Sequence, residues 1–355
     1  FMLKDLCFEI IQTCPNHCLF CSSVAGMDKH QIIDYDLFKR TIDYFMSIGG
    51  IEEISISGGE PFLHPRLFEM IRYCKINGIK TVLFTSGIKM RNKMTDNDKQ
   101  QLEFNLREQY SSYLNEGMPT EEYENLITKL MNDYLKYDAR TFDSLSTYDC
   151  HLLKNISLDK IVFDFQAWNK DTYNQIMGSK DSFDFVTLSM IKAKSAGLVA
   201  DAHFIPTKVN YKELPDIVEM LNVANFDQLS ILNFVPQGRG KDNESILSLS
   251  EEEFQEFIQI YDKCKEQFHG NLRIGIPLQD IDTHKCTAGF DKLVIKYDGT
   301  VLPCPAFKEY DIEKLNALGI KTPNIHYNLE DIKVYHGTRK HPLCKQLYKF
   351  NKSIQ

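Results

Sequence analysis

The sequence predicts an α/β protein of parallel strands joined by crossover helices, with an inserted helical hairpin and a small C-terminal cysteine-rich α+β domain. Three observations predict it. Short β-rich runs alternate with helix-patterned stretches in six strand-then-helix units up to a boundary near residue 270, and parallel neighbours need such crossovers. The alternation is suspended between residues 90 and 155, where no strand pattern occurs. Beyond Asn271 the chain changes to short strands, Gly/Pro turns and three further cysteines. With 355 residues, 43% apolar and 25% charged, the chain supports about two folded domains and excludes disorder as its main state.

The elements follow in order. Residues 7–12 (CFEIIQ) read as a strand that runs straight into a cysteine-rich loop. Residues 36–48 are helical, with Leu37, Phe38, Ile42, Phe45 and Met46 at helix spacing. A short strand at 54–57 ends in Gly58-Gly59, and a helix over 66–77 is stopped by Gly78. Residues 80–85 (KTVLFT) form the third strand, followed by Ser86-Gly87. Two polar amphipathic stretches, 96–114 and 120–137, flank Gly117-Met118-Pro119 and predict the hairpin, an insertion over about 90–156. Strands resume at 160–166, 199–205 and 228–234, with helices at 185–196, 213–221 and 250–268. The domains are thus expected at 1–270 and 271–355.

Charge and hydropathy exclude several classes. Lys plus Arg number 41 against 49 Asp plus Glu, a net −8, which disfavours non-specific binding to nucleic acid. No apolar run approaches a membrane span and no export signal opens the chain. A cytoplasmic protein with no nucleic-acid or membrane partner is expected. Its ten cysteines, in a reducing compartment, point to metal ligands or catalytic groups rather than disulfides.

Cys14, Cys18 and Cys21 are spaced C-x3-C-x2-C on the loop after the first strand. Three thiols within eight residues can converge on one centre while the loop offers amides to the sulfurs. Zinc is the plain alternative, but it prefers four ligands and only His17 is adjacent. Together with aromatic Phe20, with Gly58-Gly59-Glu60-Pro61 after the second strand and with Thr85-Ser86-Gly87 after the third, this loop resembles the signature of the radical S-adenosylmethionine (SAM) superfamily over residues 6–240. The resemblance implies a partial (β/α)6 TIM-like barrel with a 4Fe-4S cluster on Cys14, Cys18 and Cys21, and SAM chelating the fourth iron. Gly58 and Gly59 would let backbone approach the methionyl amine, with Glu60 as its acceptor. Ser86, Asp164 or Gln166, and His203 stand at strand ends where the superfamily holds SAM. Relatives often carry a basic residue where this chain has Met177, before Gly178; Lys180 or Arg239 can substitute.

A second cysteine set follows. Cys286-Thr-Ala-Gly precedes a strand at 292–297, the Asp298-Gly299 turn, and Val301 to Pro305 with Cys304. Asp-Gly between β-rich runs predicts a hairpin that folds residues 286 and 304 together, and Cys344 can add a third ligand. This segment looks like the auxiliary-cluster extension of radical SAM enzymes, closer to the shorter Twitch form than to a full SPASM domain. It implies a second, auxiliary 4Fe-4S cluster on Cys286, Cys304 and Cys344, with an open iron or a fourth ligand from Cys264, His284 or His341. Structural zinc or three buried thiols are the alternatives. Cys7, Cys74 and Cys264 read as buried thiols. Cys150, beside His151, is a candidate hydrogen-atom donor. Trp168 and the tyrosines of the insertion read as packing.

By resemblance, SAM is cleaved reductively, with electrons from a donor such as flavodoxin or ferredoxin, and the 5′-deoxyadenosyl radical takes a hydrogen atom from the substrate. A ribosomally made peptide is the favoured substrate. The first strand starts close to the chain's beginning, leaving no preceding peptide-recognition domain, and this keeps a small molecule (sugar, cyclitol or nucleotide) as the alternative. A cluster-binding regulatory protein without turnover is the reading from another class.

Overall fold

The computed structural model describes residues 2–274, 289–308, 312–317, 321–327 and 329–332. The chain divides into two compact units, Lys89–Asp143 and the remainder.

In the larger unit, the described residues form a main sheet of β1 Leu3–Glu9, β2 Ile51–Ser57, β3 Lys80–Thr85, β4 Lys160–Asp164, β5 Ala200–Phe204, β6 Gln228–Ile231, β7 Asn271–Ile274, β8 Lys292–Ile295 and β9 Val301–Leu302. The order is β9-β8-β1-β2-β3-β4-β5-β6-β7. Every pairing is parallel except β8 with β9. The six strands expected from the sequence are the contiguous run β1–β6, the mostly parallel sheet of a partial TIM-like barrel. Two further parallel strands, β7 and β8, extend it at opposite edges.

Parallel strands are buried on both faces, which their apolar content reflects. Leu6 and Phe8 of β1 enter the core, where Phe8 meets Phe38 at 5.1 Å between ring centroids. Phe38 belongs to the helix Tyr35–Ile48, which Asp34 caps by accepting from the Leu37 N–H at 2.9 Å. Cys7 and Glu9, the residues that follow Leu6 and Phe8 in β1, face a cavity instead, as the two-residue strand period requires. That alternation makes β1 both a core strand and the floor of a site.

The Asp-Gly hairpin is present. Gly299 has φ +81° and donates to the Lys296 carbonyl at 2.8 Å, and Val294 and Ile295 pair with Leu302 and Val301. Because β8 pairs parallel to β1, the hairpin delivers Cys304 and Lys308 to the same cavity. Cys286 and Cys344 lie outside the described residues, as do His284 and His341.

The unit Lys89–Asp143 contains three helices, Asp96–Gln109, Ser111–Asn115 and Thr120–Asp138. Leu106, Tyr123 and Ile127 form its own small core. Arg107 pairs with Glu103 and Glu124 at 2.8 Å each, and Thr95 with Asp98 forms a capping box. The helix Thr147–Asn155, which the sequence analysis groups with the insertion, is counted in the larger unit and buries Leu153 in the main core.

Phe163 is fully buried at the centre of the sheet. Phe163→Ala is expected to cost about 3–5 kcal/mol, read as a lower urea midpoint with an unchanged slope.

Candidate active site

The site is built on the loop after β1, and backbone contacts from three directions hold that loop. From the β2 side, Gly59 N–H donates to the Ile11 carbonyl at 2.6 Å and Glu60 N–H to the Thr13 carbonyl at 2.9 Å. A Cβ on Gly58 would stand 2.3 Å from the Ile11 oxygen, and one on Gly59 2.2 Å from the Thr13 oxygen. No side chain fits there, so these glycines serve close backbone packing as well as lining the cavity. From the helix Lys170–Met177, the Met177 and Ile176 carbonyls accept from His17 and Leu19, both at 2.9 Å. Gly178 ends this helix with φ +64°, and a Cβ there would be 2.4 Å from the His17 oxygen. From the segment after β6, Arg239 Nε donates to the Cys18 carbonyl at 3.0 Å and Arg239 N–H to the Cys21 carbonyl at 3.1 Å.

This clamp sets Cys14, Cys18 and Cys21 on the wall of one cavity of about 460 Å³, a volume typical of cofactor and ligand pockets. The cavity opens at the carboxyl ends of the parallel strands, where α/β folds place their ligands. Gly58, Gly59 and Ser86 line it, as do Asp164, His203, Arg239 and Cys304. The three loop cysteines carry free thiols. Burial pushes the Cys14 and Cys18 thiols well above their ordinary range, so their thiolates need a compensating positive charge, which a bound metal supplies. Among the described residues, no three Cys, His, Asp or Glu side chains gather around one point closely enough for a single ion. Structural zinc takes four ligands, whereas three thiols on one cavity wall can hold a cluster of several irons. Arg239 Nη2 is buried with no hydrogen-bond partner, which leaves a cationic donor in the wall for an anionic group. The donor set therefore fits a 4Fe-4S cluster with SAM beside it.

Three of the residues expected from the sequence sit elsewhere. Glu60 is fully buried and does not line the cavity. Its Oε1 accepts from Thr85 Oγ1 at 2.7 Å and Phe62 N–H at 3.0 Å; its Oε2 accepts from Ser86 N–H at 2.7 Å and Ser86 Oγ at 2.5 Å. Glu60 thus ties the end of β2 to the end of β3, and burial outweighs those hydrogen bonds to push its carboxyl up to about 7. Gln166 is also fully buried, bridging the β5 end through the Ile205 N–H at 2.9 Å and the His203 carbonyl at 3.3 Å. Cys150 lies in the core on the helix Thr147–Asn155, fully buried and off the cavity, so this structure gives it no path to a substrate radical. At the cavity, burial raises Asp164 to about 6 and lowers His203 to about 4, leaving a neutral imidazole near pH 7 whose ring lies 5.1 Å from that of Phe84.

Glu9, Ser23 and Lys308, which no motif in the sequence marks, also line the cavity. Glu9 and Lys308 form a buried ion pair, with side chains 2% and 10% exposed. Burial alone would lower the Lys308 pKa, but the Glu9 carboxylate holds it above its ordinary value. The available signal was strand parity: Glu9 is two residues from Cys7 on the strand that leads to the cysteine loop.

Two outcomes follow from this geometry. Gly59→Ala would force the cysteine loop away from β2, so reconstituted protein is expected to lose most of its iron–sulfur absorbance and melt earlier. An unchanged spectrum and melting temperature would contradict the clamp. The folded-state pKa of Glu60, about 7, lies above its ordinary value of 4.5. Its contribution to stability is then complete below pH 4.5 and is lost as pH rises toward 7. Cluster-free wild type should lose more melting temperature between pH 5 and pH 7 than Glu60→Gln does.

Residues 8–105 match the model of the radical SAM superfamily. The chain is 24% identical over 308 residues to the tungsten-containing aldehyde ferredoxin oxidoreductase cofactor-modifying protein of Pyrococcus furiosus, covering 86% of this chain and 72% of that protein. It is 21% identical to the PqqA peptide cyclase of Bradyrhizobium diazoefficiens, covering 84% of this chain and 65% of the cyclase. It is 22% identical to a probable GTP 3′,8-cyclase of Metallosphaera sedula, covering 94% and 90%. Among solved structures, Streptococcus suis SuiB bound to precursor peptide SuiA shares the fold, with a TM-score of 0.61 at 16% identity over 95% of this chain and 65% of SuiB. The chain thus spans just under two thirds of the peptide cyclase and of SuiB. No helix among the described residues is long and apolar enough to cross a membrane. The cysteine loop and the Gly58-Gly59 clamp both fall within the matched span, and residues 8–105 of this chain carry a radical SAM domain.

Proposed function

We propose that this chain binds a 4Fe-4S cluster on Cys14, Cys18 and Cys21, holds SAM against it, and uses the resulting radical on a peptide substrate. The observation that carries the reading is the convergence of those three thiols with Gly58, Gly59, Ser86, Asp164, His203 and Arg239 on one cavity. When bound, the cluster and SAM supply, by one-electron reductive cleavage of a carbon–sulfur bond, a carbon radical able to take a hydrogen atom. The chain's own part is positional. Arg239, anchored by its Nε to the Cys18 carbonyl, keeps Nη2 for the SAM carboxylate, the role for which Met177 is unsuited. The Ser86 hydroxyl, held by Glu60, keeps an acceptor face for the SAM ribose or amine. Asp164 and neutral His203 flank the space left for the nucleoside.

Cys304 on the same cavity supports an auxiliary cluster domain over 271–355, with Cys286 and Cys344 as its further ligands. Peptide modification is supported by the relatives that act on PqqA or bind precursor peptide SuiA. A nucleotide substrate is the second reading, favoured by the GTP cyclase's near-complete match in length. A flavodoxin or ferredoxin in a reducing cytoplasm would supply the electron.

Anaerobically reconstituted protein with SAM and dithionite should release methionine and 5′-deoxyadenosine, and Cys14→Ala/Cys18→Ala/Cys21→Ala should release neither. A mass change in a short peptide encoded beside the gene would establish the substrate class; a change in GTP instead would establish the second reading. Iron-replete wild type that leaves SAM intact would overturn the proposal.

A further inference from the structure

The cavity contains a polar group that SAM handling leaves unused. Glu9 stands at the end of β1, 1% exposed. Its Oε1 pairs with Lys308 Nζ and accepts from Ser23 Oγ at 2.7 Å. Lys308 Nζ also reaches Ser23 Oγ at 3.1 Å. Ser23 is fixed in turn, because its carbonyl accepts from Gln12 Nε2 at 3.1 Å. Both side-chain partners therefore engage one carboxylate oxygen. The other, Glu9 Oε2, is buried with no hydrogen-bond partner. A buried carboxylate oxygen without a donor is costly and points to a missing partner. Among the described residues the Lys308 ammonium uses two of its three N–H groups, on Glu9 and Ser23.

The pair is electrically compensated, which restricts what can join it. A carboxylate guest would compete for Lys308 and strand Glu9; an ammonium guest would compete for Glu9 and strand Lys308. Either leaves a net charge in a confined site. A neutral group with a donor and an acceptor on one edge satisfies both ends without changing the charge.

We propose that Glu9 and Lys308 seat one extended residue of a neutral substrate backbone, that residue's N–H donating to Glu9 Oε2 and its own carbonyl, on the same edge, accepting from Lys308 Nζ. This rests on the reading of the cavity as the place where substrate meets SAM, and it deepens the peptide assignment, since every extended non-proline residue of a peptide offers that donor and acceptor on one edge. The seat joins two parts of the chain, β1 and the segment after the β8–β9 hairpin, so a substrate bound there lies between the cysteine loop and Cys304.

The test uses the full-length, anaerobically reconstituted protein with SAM and three small probes followed by saturation-transfer NMR. N-acetylglycine N-methylamide is the neutral probe, N-acetylglycine the anionic one and glycine N-methylamide the cationic one. The wild type should bind the neutral probe about tenfold or more tighter than either charged probe. Glu9→Gln and Lys308→Met should each weaken the neutral probe by about tenfold, with iron per chain and melting temperature confirming the fold. The probe comparison on wild type needs no variant. Equal affinity for the three probes, no detectable binding of the neutral probe, or unchanged binding in both variants would overturn the seat. Failure of SAM cleavage would instead remove the radical reading and leave the probe titration interpretable.

Discussion

The contact on which the site depends is the approach of two backbones, the loop after β1 and the Gly58-Gly59 turn after β2. Each of the two added Cβ atoms would fall well inside van der Waals distance of a carbonyl oxygen. The hydrogen bonds from Gly59 and Glu60 exist only because that space is empty. They fix the path of residues 11–13, and with it the direction in which Cys14 leaves the strand. Gly178 repeats the device from the opposite side against His17. A loop with no regular structure of its own is thereby as well determined as the strands around it.

The charged groups around this clamp separate into two kinds. Glu60 accepts four hydrogen bonds and never reaches the cavity, so it works as a tie between β2 and β3. Arg239 and Glu9 each keep one polar atom unpartnered at the cavity. Buried polar atoms are almost always satisfied in folded proteins, so these two mark where ligands complete the structure. The first suits an anionic group near the cysteine loop. The second suits the backbone of a neutral, extended peptide residue beside Lys308.

The fold was largely legible because the strands of a parallel sheet are short apolar runs separated by helices of ordinary length, and residues 80–85 were read to the residue. Strand β7 was not, since a four-residue segment such as Asn271–Ile274 carries too little periodicity to be told from loop; β8 was legible as a strand of the hairpin, but its parallel pairing with β1 was not. The thiols and Gly58-Gly59 were legible as a motif. The partition within the motif was not: the pattern Gly-Gly-Glu-Pro cannot tell whether Glu60 faces a ligand or the next strand. Lys308 was hidden for another reason. It reaches Glu9 across 299 residues, and only the parallel pairing of β8 with β1 brings them together. Cys150 looked reactive beside His151, yet helical phase turns it into the core.

The proposed ligation of a four-iron cluster by the three loop thiols has a stoichiometric signature. It is tested most directly by iron and acid-labile sulfide per chain after anaerobic reconstitution, on wild type and on the variant lacking Cys14, Cys18 and Cys21. The variant should lose about four irons and four sulfides per chain relative to wild type. Equal iron in both proteins, or a wild type that takes up one zinc and no sulfide, would contradict it.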